Sequence, residues 1–487
     1  MTFSRILLVF KVLLSSALVS AQSDVAFPHE VYAGRRAKLM AQIGDAVAVV
    51  PGRYLVGEHE LPKQDPNFWY LTGVESPYAI LVVTPQAQRT ALFLPEKFQF
   101  AGAQYPMLDE AFRRAVWNRP LRRLAPGNDA VAATGIAETY GLDRFADKLV
   151  ELIGSTRTVY VPTSEEKLYA PPGLSALLSL SQQIAASLAE RLPERKIENL
   201  MPILARHRLV KDRYEIEALR RAAEISGAGM MEAMKAVGPG MNELEVAGIM
   251  EHVWKREGSP RASFAPIVGS GPHGMIFFTV MGENYNAVDR VMKAGELLFL
   301  DYGAAEYKTY ASDLCRTLPV SGRFTPEQRK YYDVVLEAQE AALSKIRPGA
   351  LMVDVVRAAA LVFQKHGLER FEDVKTMGED RVWGIMPSPT HYLTRGQGLV
   401  RSSALGVGVR DLGHHIGLET TDSRDYSSPL EAGWVFTVEP KLYIPEKEIG
   451  IMIEDMVLVT PDGYENLSAK TPKTADEIER IMSRRPH

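Results

Sequence analysis

Five residues in the C-terminal half of this chain have the types and spacing to do chemistry: Asp301, Asp313, His414, Glu439 and Glu454. Asp301 closes the apolar run LLFLDYG, Asp313 lies in YASDLCRT, His414 in LGHHIGLE, Glu439 in FTVEPKLY and Glu454 in GIMIEDMV. Four carboxylates and one imidazole form a hard, oxygen-rich set suited to Mn²⁺, Zn²⁺, Co²⁺ or Fe²⁺. Two divalent ions would balance the four negative charges, so the set suits two ions better than one. A buried carboxylate without a partner is costly. Five such positions in apolar frames therefore call for a compensating cation.

The elements that must carry these residues are strands. Glu439 and Glu454 each sit in an apolar, β-branched stretch, WVFTVEP and GIMIEDMVLV, with turn material (IPEKEIG) between them. That pattern predicts neighbouring strands bringing both carboxylates into one interior. Asp301 and Asp313 flank a short turn between two strand-like runs, LLFLDYG and YKTYASDLCRTLPV. Upstream, residues 30–85 alternate helix and strand signals, from GRRAKLMAQIG to the runs AVAVVPG and AILVVTP. LDRFADKLVELIG and LSALLSLSQQIAASLAERL follow as helices. This reads as a small α/β domain. Strand and loop patterning gives way to a long helix near residues 198–212, where Asp212 and Glu215 form a capping-box pair. A later helix starts at Thr325 with Pro326 in its first turn. The poorly patterned stretch DVKTMGEDRVWGIMPSPTHYLTRGQG is expected to be a loop near the site.

In this order and at these distances the frames resemble the pita-bread metallopeptidases: aminopeptidase P, prolidase and methionine aminopeptidase. FWYLTGVESPYAILVV is similar to the N-terminal domain of aminopeptidase P and prolidase, and RLVKDRYEIEALRRAAEIS to the helix that opens their catalytic domain. IVGSGPHG, LDYGAAEYKTYASDLCRTLPVSGRFTPEQ and TVEPKLYI then follow in family order. The resemblance implies an α/β (α+β) chain: a small N-terminal α/β domain over residues 22–200, then a catalytic pita-bread domain over 201–487. It implies that Asp301 binds one metal, that His414 and Glu439 bind the other, and that Asp313 and Glu454 bridge both. Two divalent ions, Mn²⁺ first, are the expected cofactor, with Glu439 as the proton shuttle. The expected activity is removal of an N-terminal residue that precedes proline. Prolidase activity on dipeptides, or a metal-bearing binding protein of the same fold, are the alternatives.

The chain departs from the family pattern around the metals. Phe278 stands where relatives usually have a histidine, as does Thr421, while Met452 stands where an arginine often precedes the last glutamate by two residues. Arg410 takes the first histidine position of the motif and is a candidate for binding a substrate carboxylate or carbonyl. His273, His391 and His415 are the histidines near these frames, and His273 is the first candidate for a substrate contact. If its segment is a strand, His415 faces away from His414.

At 487 residues, two domains are expected. Hydrophobic content of 46% with 24% charged residues fits a globular protein. The opening MTFSRILLVFKVLLSSALVSA has basic residues, an apolar run and a small-residue cleavage site. It reads as a signal peptide over residues 1–21 and predicts export to the periplasm or beyond. No second apolar run of spanning length follows. The net charge of −4 and the lack of a basic stripe exclude nucleic acid as an expected partner. Peptides are the expected partners, and a homo-oligomer is compatible. Cys315 is the single cysteine and is expected to pack rather than to bond.

Overall fold

The computed structural model describes residues 27–53, 63–95, 124–163, 178–275, 289–302, 305–368, 412–423, 425, 428–444 and 447–484. The signal segment, Phe278, His391, Arg410 and the loop predicted over residues 373–398 lie outside these. The chain divides into two compact units, Met1–His207 and Arg208–His487.

The first unit is built on a mixed six-stranded sheet of order β4-β3-β2-β1-β5-β6. Its strands are β1 (Val47–Pro51), β2 (Ile80–Thr84), β3 (Arg89–Leu94), β4 (Glu138–Gly141), β5 (Thr158–Val161) and β6 (Lys196–Asn199). Among the described residues its helices are α1 (His29–Ile43), α2 (Pro66–Thr72), α3 (Asn128–Thr134), α4 (Phe145–Ile153) and α5 (Leu180–Arg191), followed by α6 (Met201–Leu209), whose last two residues fall in the second unit. β1 and β2 are fully or nearly fully buried apolar runs, as strands covered on both faces must be. Val47, Val49, Val82, Phe93, Leu149, Val159 and Leu188 form the core on one face.

The second unit opens with α7 (Arg213–Ala236), capped by Asp212 and Glu215 in the predicted capping box. α8 (Glu243–Arg256), α9 (Pro326–Leu343), α10 (Met352–Lys365) and α11 (Ala475–Met482) are its other helices among the described residues. Thr325 caps α9 with Pro326 at its first turn, as the sequence predicts. β7 (Ile267–Ser270), β8 (Leu297–Asp301) and β9 (Cys315–Pro319) form one antiparallel sheet. β10 (Val435–Val438), β13 (Asp455–Thr460) and β14 (Gly463–Asn466) form a second, and β11 (Lys441–Ile444) with β12 (Ile449–Met452) a two-stranded ladder. One core, including Met230, Trp254, Leu300, Val335, Phe363, Trp434, Phe436 and Ile453, lies between the helices and these strands.

The run from β10 to β13 corrects one sequence expectation. Glu439 and Glu454 are not inside strands. β10 pairs with β13 up to Val438 opposite Asp455, and β11 pairs with β12 from Lys441 opposite Met452. The two carboxylates sit in the gap between these ladders. Pro440 lies in that gap and has no N–H to donate, so regular pairing stops there. Asp313 likewise lies two residues before β9 rather than on it.

Candidate metal centre

Each predicted ligand is positioned by a different backbone device. Asp301 ends β8, opposite Cys315 in the β8–β9 register. Asp313 precedes β9 in the segment that Ala311 ties to Gly417 by an N–H···O bond of 2.8 Å. The segment carrying His414 runs alongside β10: the Glu439 N–H donates to the Leu412 carbonyl (2.7 Å), and the Thr437 N–H to the His414 carbonyl (2.9 Å). Gly413 makes this approach possible. At φ 148°, a Cβ there would lie 1.8 Å from the Thr437 carbonyl oxygen. The Glu454 N–H donates to the Cys315 carbonyl (3.1 Å), which joins the last glutamate to the sheet that holds Asp301.

These devices bring the side chains together. His414 Nε2 is 3.2 Å from Asp313 Oδ2 and 3.8 Å from Glu439 Oε1. Ligand atoms of Asp313, His414 and Glu454 lie within 4.8 Å of one another. Asp301, Asp313, Glu439 and Glu454 are all buried. Burial, then the charges of Asp313 and Glu439, pushes the Asp301 carboxyl well above the usual carboxylate range. Burial, then the charges of Asp313, Glu439 and Asp301, does the same to Glu454. Burial also raises Asp313, although its bond to His414 acts against the rise. The His414 imidazole is pulled down by burial, yet Asp313 and Glu439 outweigh this and leave it raised.

The donor set fits a cation. Asp301 Oδ1 and Asp313 Oδ1 are buried oxygens with no hydrogen-bond donor. Leaving a buried acceptor in that condition costs about 1–3 kcal/mol, more for a charged group. Oxygens of this kind converging beside an imidazole are what hard divalent ions require.

Three supporting residues were not singled out from the sequence. Gln339 on α9 donates through Nε2 to the Val438 and Ile453 carbonyls, both at 3.1 Å, the residues just before Glu439 and Glu454. Arg316 is fully buried and donates to the Cys315 and Glu454 carbonyls (2.8 and 2.5 Å) and to Asp455 Oδ1 (2.7 Å). Lys441 Nζ donates to Glu439 Oε2 at 2.8 Å. A basic residue inside an apolar strand pattern, as in CRTLP and KLYI, is the signal that marks the last two. Gln339 shows none.

The other candidates have local partners of their own. His273 follows β7 at its Ser270 end, and Ser270 pairs with Leu298, three residues along β8 from Asp301. Its Nδ1 is 3.0 Å from the buried carboxylate of Glu243. His415 is a core residue, stacked edge-on against Trp434 with its pKa lowered to about 3 by burial and then by Lys211. Thr421 is exposed, whereas the adjacent Asp422 is buried and paired with Arg208 at 2.5 Å. Cys315 is buried in a cluster with Ile267, Phe299, Tyr443 and Met452, and burial raises its thiol well above its usual pKa.

Comparison with known proteins identifies the family. Residues 217–461 match the model of metallopeptidase family M24, and residues 32–160 match the aminopeptidase P N-terminal domain. The Xaa-Pro aminopeptidase of Escherichia coli K12 is 32% identical over 432 residues, covering 86% of this chain and 89% of that protein. Xaa-Pro aminopeptidase 3 of Mus musculus is 29% identical, covering 93% and 86%. The low-pH form of Escherichia coli aminopeptidase P superposes with a TM-score of 0.72 at 28% identity, covering 94% of this chain and 98% of that one. Proline aminopeptidase P II from Yersinia pestis gives 0.71 at 27% identity, covering 94% and 100%. The chain belongs to metallopeptidase family M24, with an aminopeptidase P N-terminal domain ahead of its pita-bread domain.

Proposed function

We propose that this chain is a dinuclear metal-dependent Xaa-Pro aminopeptidase that hydrolyses the peptide bond between an N-terminal residue and a following proline. The observation that carries the reading is the pair of buried oxygens without a hydrogen-bond donor on Asp301 and Asp313, with Asp313 beside His414 and Glu454. On family likeness, Asp301, Asp313, His414, Glu439 and Glu454 would together hold the two ions. Manganese is the first choice because the donors are mostly carboxylate oxygen. When bound, such ions supply Lewis-acid polarisation of the scissile carbonyl and raise the acidity of water.

The remaining work falls to the protein. Lys441 holds Glu439 Oε2, while Oε1 accepts from the Thr437 hydroxyl at 3.3 Å and lies on the His414 side, where it would move a proton. It takes a proton from the attacking water and delivers it to the proline nitrogen as the C–N bond breaks. His414 must be neutral to act as a ligand. Its bond to Asp313 keeps Nε2 directed into the cluster. Arg410 is proposed as a substrate contact, on its position in the motif alone. Residues 1–21 are proposed as an export signal on their residue pattern.

Purified protein loaded with Mn²⁺ and offered Xaa-Pro and Xaa-Pro-Xaa peptides side by side tests the reading. Cleavage of the tripeptide between its first residue and proline is expected. Cleavage of the dipeptide alone would replace the reading with prolidase. Cleavage of neither would leave a metal-binding protein.

A further inference from the structure

Lys441 is buried, at 1% exposure, and opens β11 two residues after Glu439. An ammonium is among the costliest groups to bury, and it is retained inside a protein only with a specific partner. Its partner is Glu439, Nζ to Oε2 at 2.8 Å. In the β11–β12 ladder Lys441 stands directly opposite Met452. Directly opposed residues project from the same face with Cβ atoms about 5 Å apart. Position 452 is the one where the family resemblance implies an arginine. Here it is apolar, and Met452 packs with Ile267, Phe299, Cys315 and Tyr443. Ile267, Phe299 and Cys315 lie on the face of β7–β9 that Asp301 shares, because Ile267 and Cys315 both pair with Asp301 and Phe299 is two residues away. The charge of Lys441 also reaches Asp301 and Glu454, acting against the rise in their carboxyl pKa values.

We propose that Lys441 is the positioning cation of this site, supplied from β11 in place of an arginine at position 452 on β12, and that it fixes Glu439 by holding Oε2. The inference rests on the metal-dependent peptidase reading above. Two consequences follow. Glu439 is held in one rotamer with Oε1 directed at His414, where the cluster and the moving proton need it. The cation also enters from the start of β11, two residues after Glu439, so that glutamate, rather than Glu454, receives the direct bond.

The alternative is that Lys441 only offsets the negative charge of four buried carboxylates. The two roles differ in the sign of their effect on metal binding. If Lys441 only offsets charge, removing it leaves a more negative site, and Mn²⁺ binds more tightly. If it positions Glu439, removing it weakens Mn²⁺ binding.

The test uses the full chain after chelation and dialysis, with Mn²⁺ titrated by calorimetry and Xaa-Pro-Xaa hydrolysis measured at saturating Mn²⁺. Lys441→Met is expected to weaken Mn²⁺ binding about tenfold and to lower kcat by about 10–100-fold, the usual scale for a group that orients a metal ligand. KM should change much less. Adding Met452→Arg to Lys441→Met should recover at least half of both losses on a logarithmic scale. Lys441→Gln, which keeps a donor without the charge, takes the place of Lys441→Met if the latter does not fold, with the same directions expected. Unchanged or tighter Mn²⁺ binding in the position-441 variants, or no recovery by Met452→Arg, overturns the proposal. If the wild-type protein binds Mn²⁺ but cleaves no Xaa-Pro peptide, the peptidase reading fails, and the direction of the affinity change still decides the role of Lys441.

Discussion

Thr421 shows how one position can separate metal binding from turnover. It is exposed at the end of the segment that carries His414, and its neighbour Asp422 is what anchors that segment. Asp422 pairs with Arg208, lies 3.7 Å from Lys211 Nζ, and accepts from the backbone N–H groups of Leu418 and Ser423. A histidine at 421 would therefore face no packing penalty and should change stability by less than about 0.5 kcal/mol, as exposed substitutions usually do. It would restore a donor that can hold a substrate carbonyl. One preorganised donor of that kind is worth on the order of 10²–10³ in rate. Thr421→His combined with Phe278→His is expected to raise kcat on an Xaa-Pro-Xaa peptide by about 10²-fold or more, at unchanged metal content per chain. Elemental analysis beside steady-state kinetics checks both halves of that statement. A rate that does not rise would mean that another group already fills the role.

Among the elements, α9 governs the geometry of the site most directly. Gln339 reaches from this helix into the gap between the β10–β13 and β11–β12 ladders and satisfies the two carbonyls that regular pairing leaves open there. Its Oε1 accepts from Lys473 Nζ at 2.8 Å, which fixes the amide orientation. Replacing Gln339 with Leu keeps the volume and strands both carbonyls. At about 1–3 kcal/mol for each buried unsatisfied group, a loss of about 2–6 kcal/mol is expected for the two carbonyls. Since those carbonyls directly precede Glu439 and Glu454, Mn²⁺ affinity should fall as well. Urea unfolding with chelator present, and Mn²⁺ titration of the folded variant, measure the two effects separately. This element also marks the limit of what the sequence makes legible. The helix itself, its Thr325 cap and Pro326 start are local signals and read directly. The frames of the five ligands are local too, since each is an apolar run interrupted by one acid. The ladder gap depends on cross-strand register and the reach of Gln339 on contacts 99 and 114 residues apart, while the pairing of Lys441 with Glu439, only two residues away, depends on where the strand breaks. Pro440 hinted at the gap, but a proline at a strand end reads equally well as a strand terminus. His273 falls in the glycine-rich turn that follows β7, and its contact with Glu243, thirty residues earlier, is not legible in the local pattern.

At the scale of the whole molecule, the buried titratable groups make stability depend on pH in two opposite ways. His207 in the first unit has its pKa lowered to about 4 by burial and then by Lys38, and His415 in the second is lowered to about 3. Below the ordinary histidine value of about 6.5 the unfolded chain takes up protons that these folded histidines refuse. Both units therefore lose stability as pH falls from about 6.5 toward 3–4. Asp301, Asp313 and Glu454 act in the other sense, because their folded pKa values are raised. The folded chain without metal holds protons that the unfolded chain releases above the usual carboxylate value of about 4. Their contribution is fully present below that value and is lost as pH rises through their folded pKa values. Divalent ions bind the deprotonated carboxylates and neutral His414, so metal must displace more protons at low pH than at high pH. The histidine terms are common to chelated and metal-loaded protein and cancel in the difference between them. The increase in melting temperature produced by Mn²⁺ should then be near zero at about pH 4 and grow steadily to pH 8. A concentration of 100 times the dissociation constant gives about 2.7 kcal/mol of stabilisation. Differential scanning calorimetry of chelated and Mn²⁺-loaded protein across that range measures the increment directly. A gain that stays constant with pH would place the ions away from this carboxylate cluster and would remove the basis for assigning Asp301, Asp313, His414, Glu439 and Glu454 as ligands.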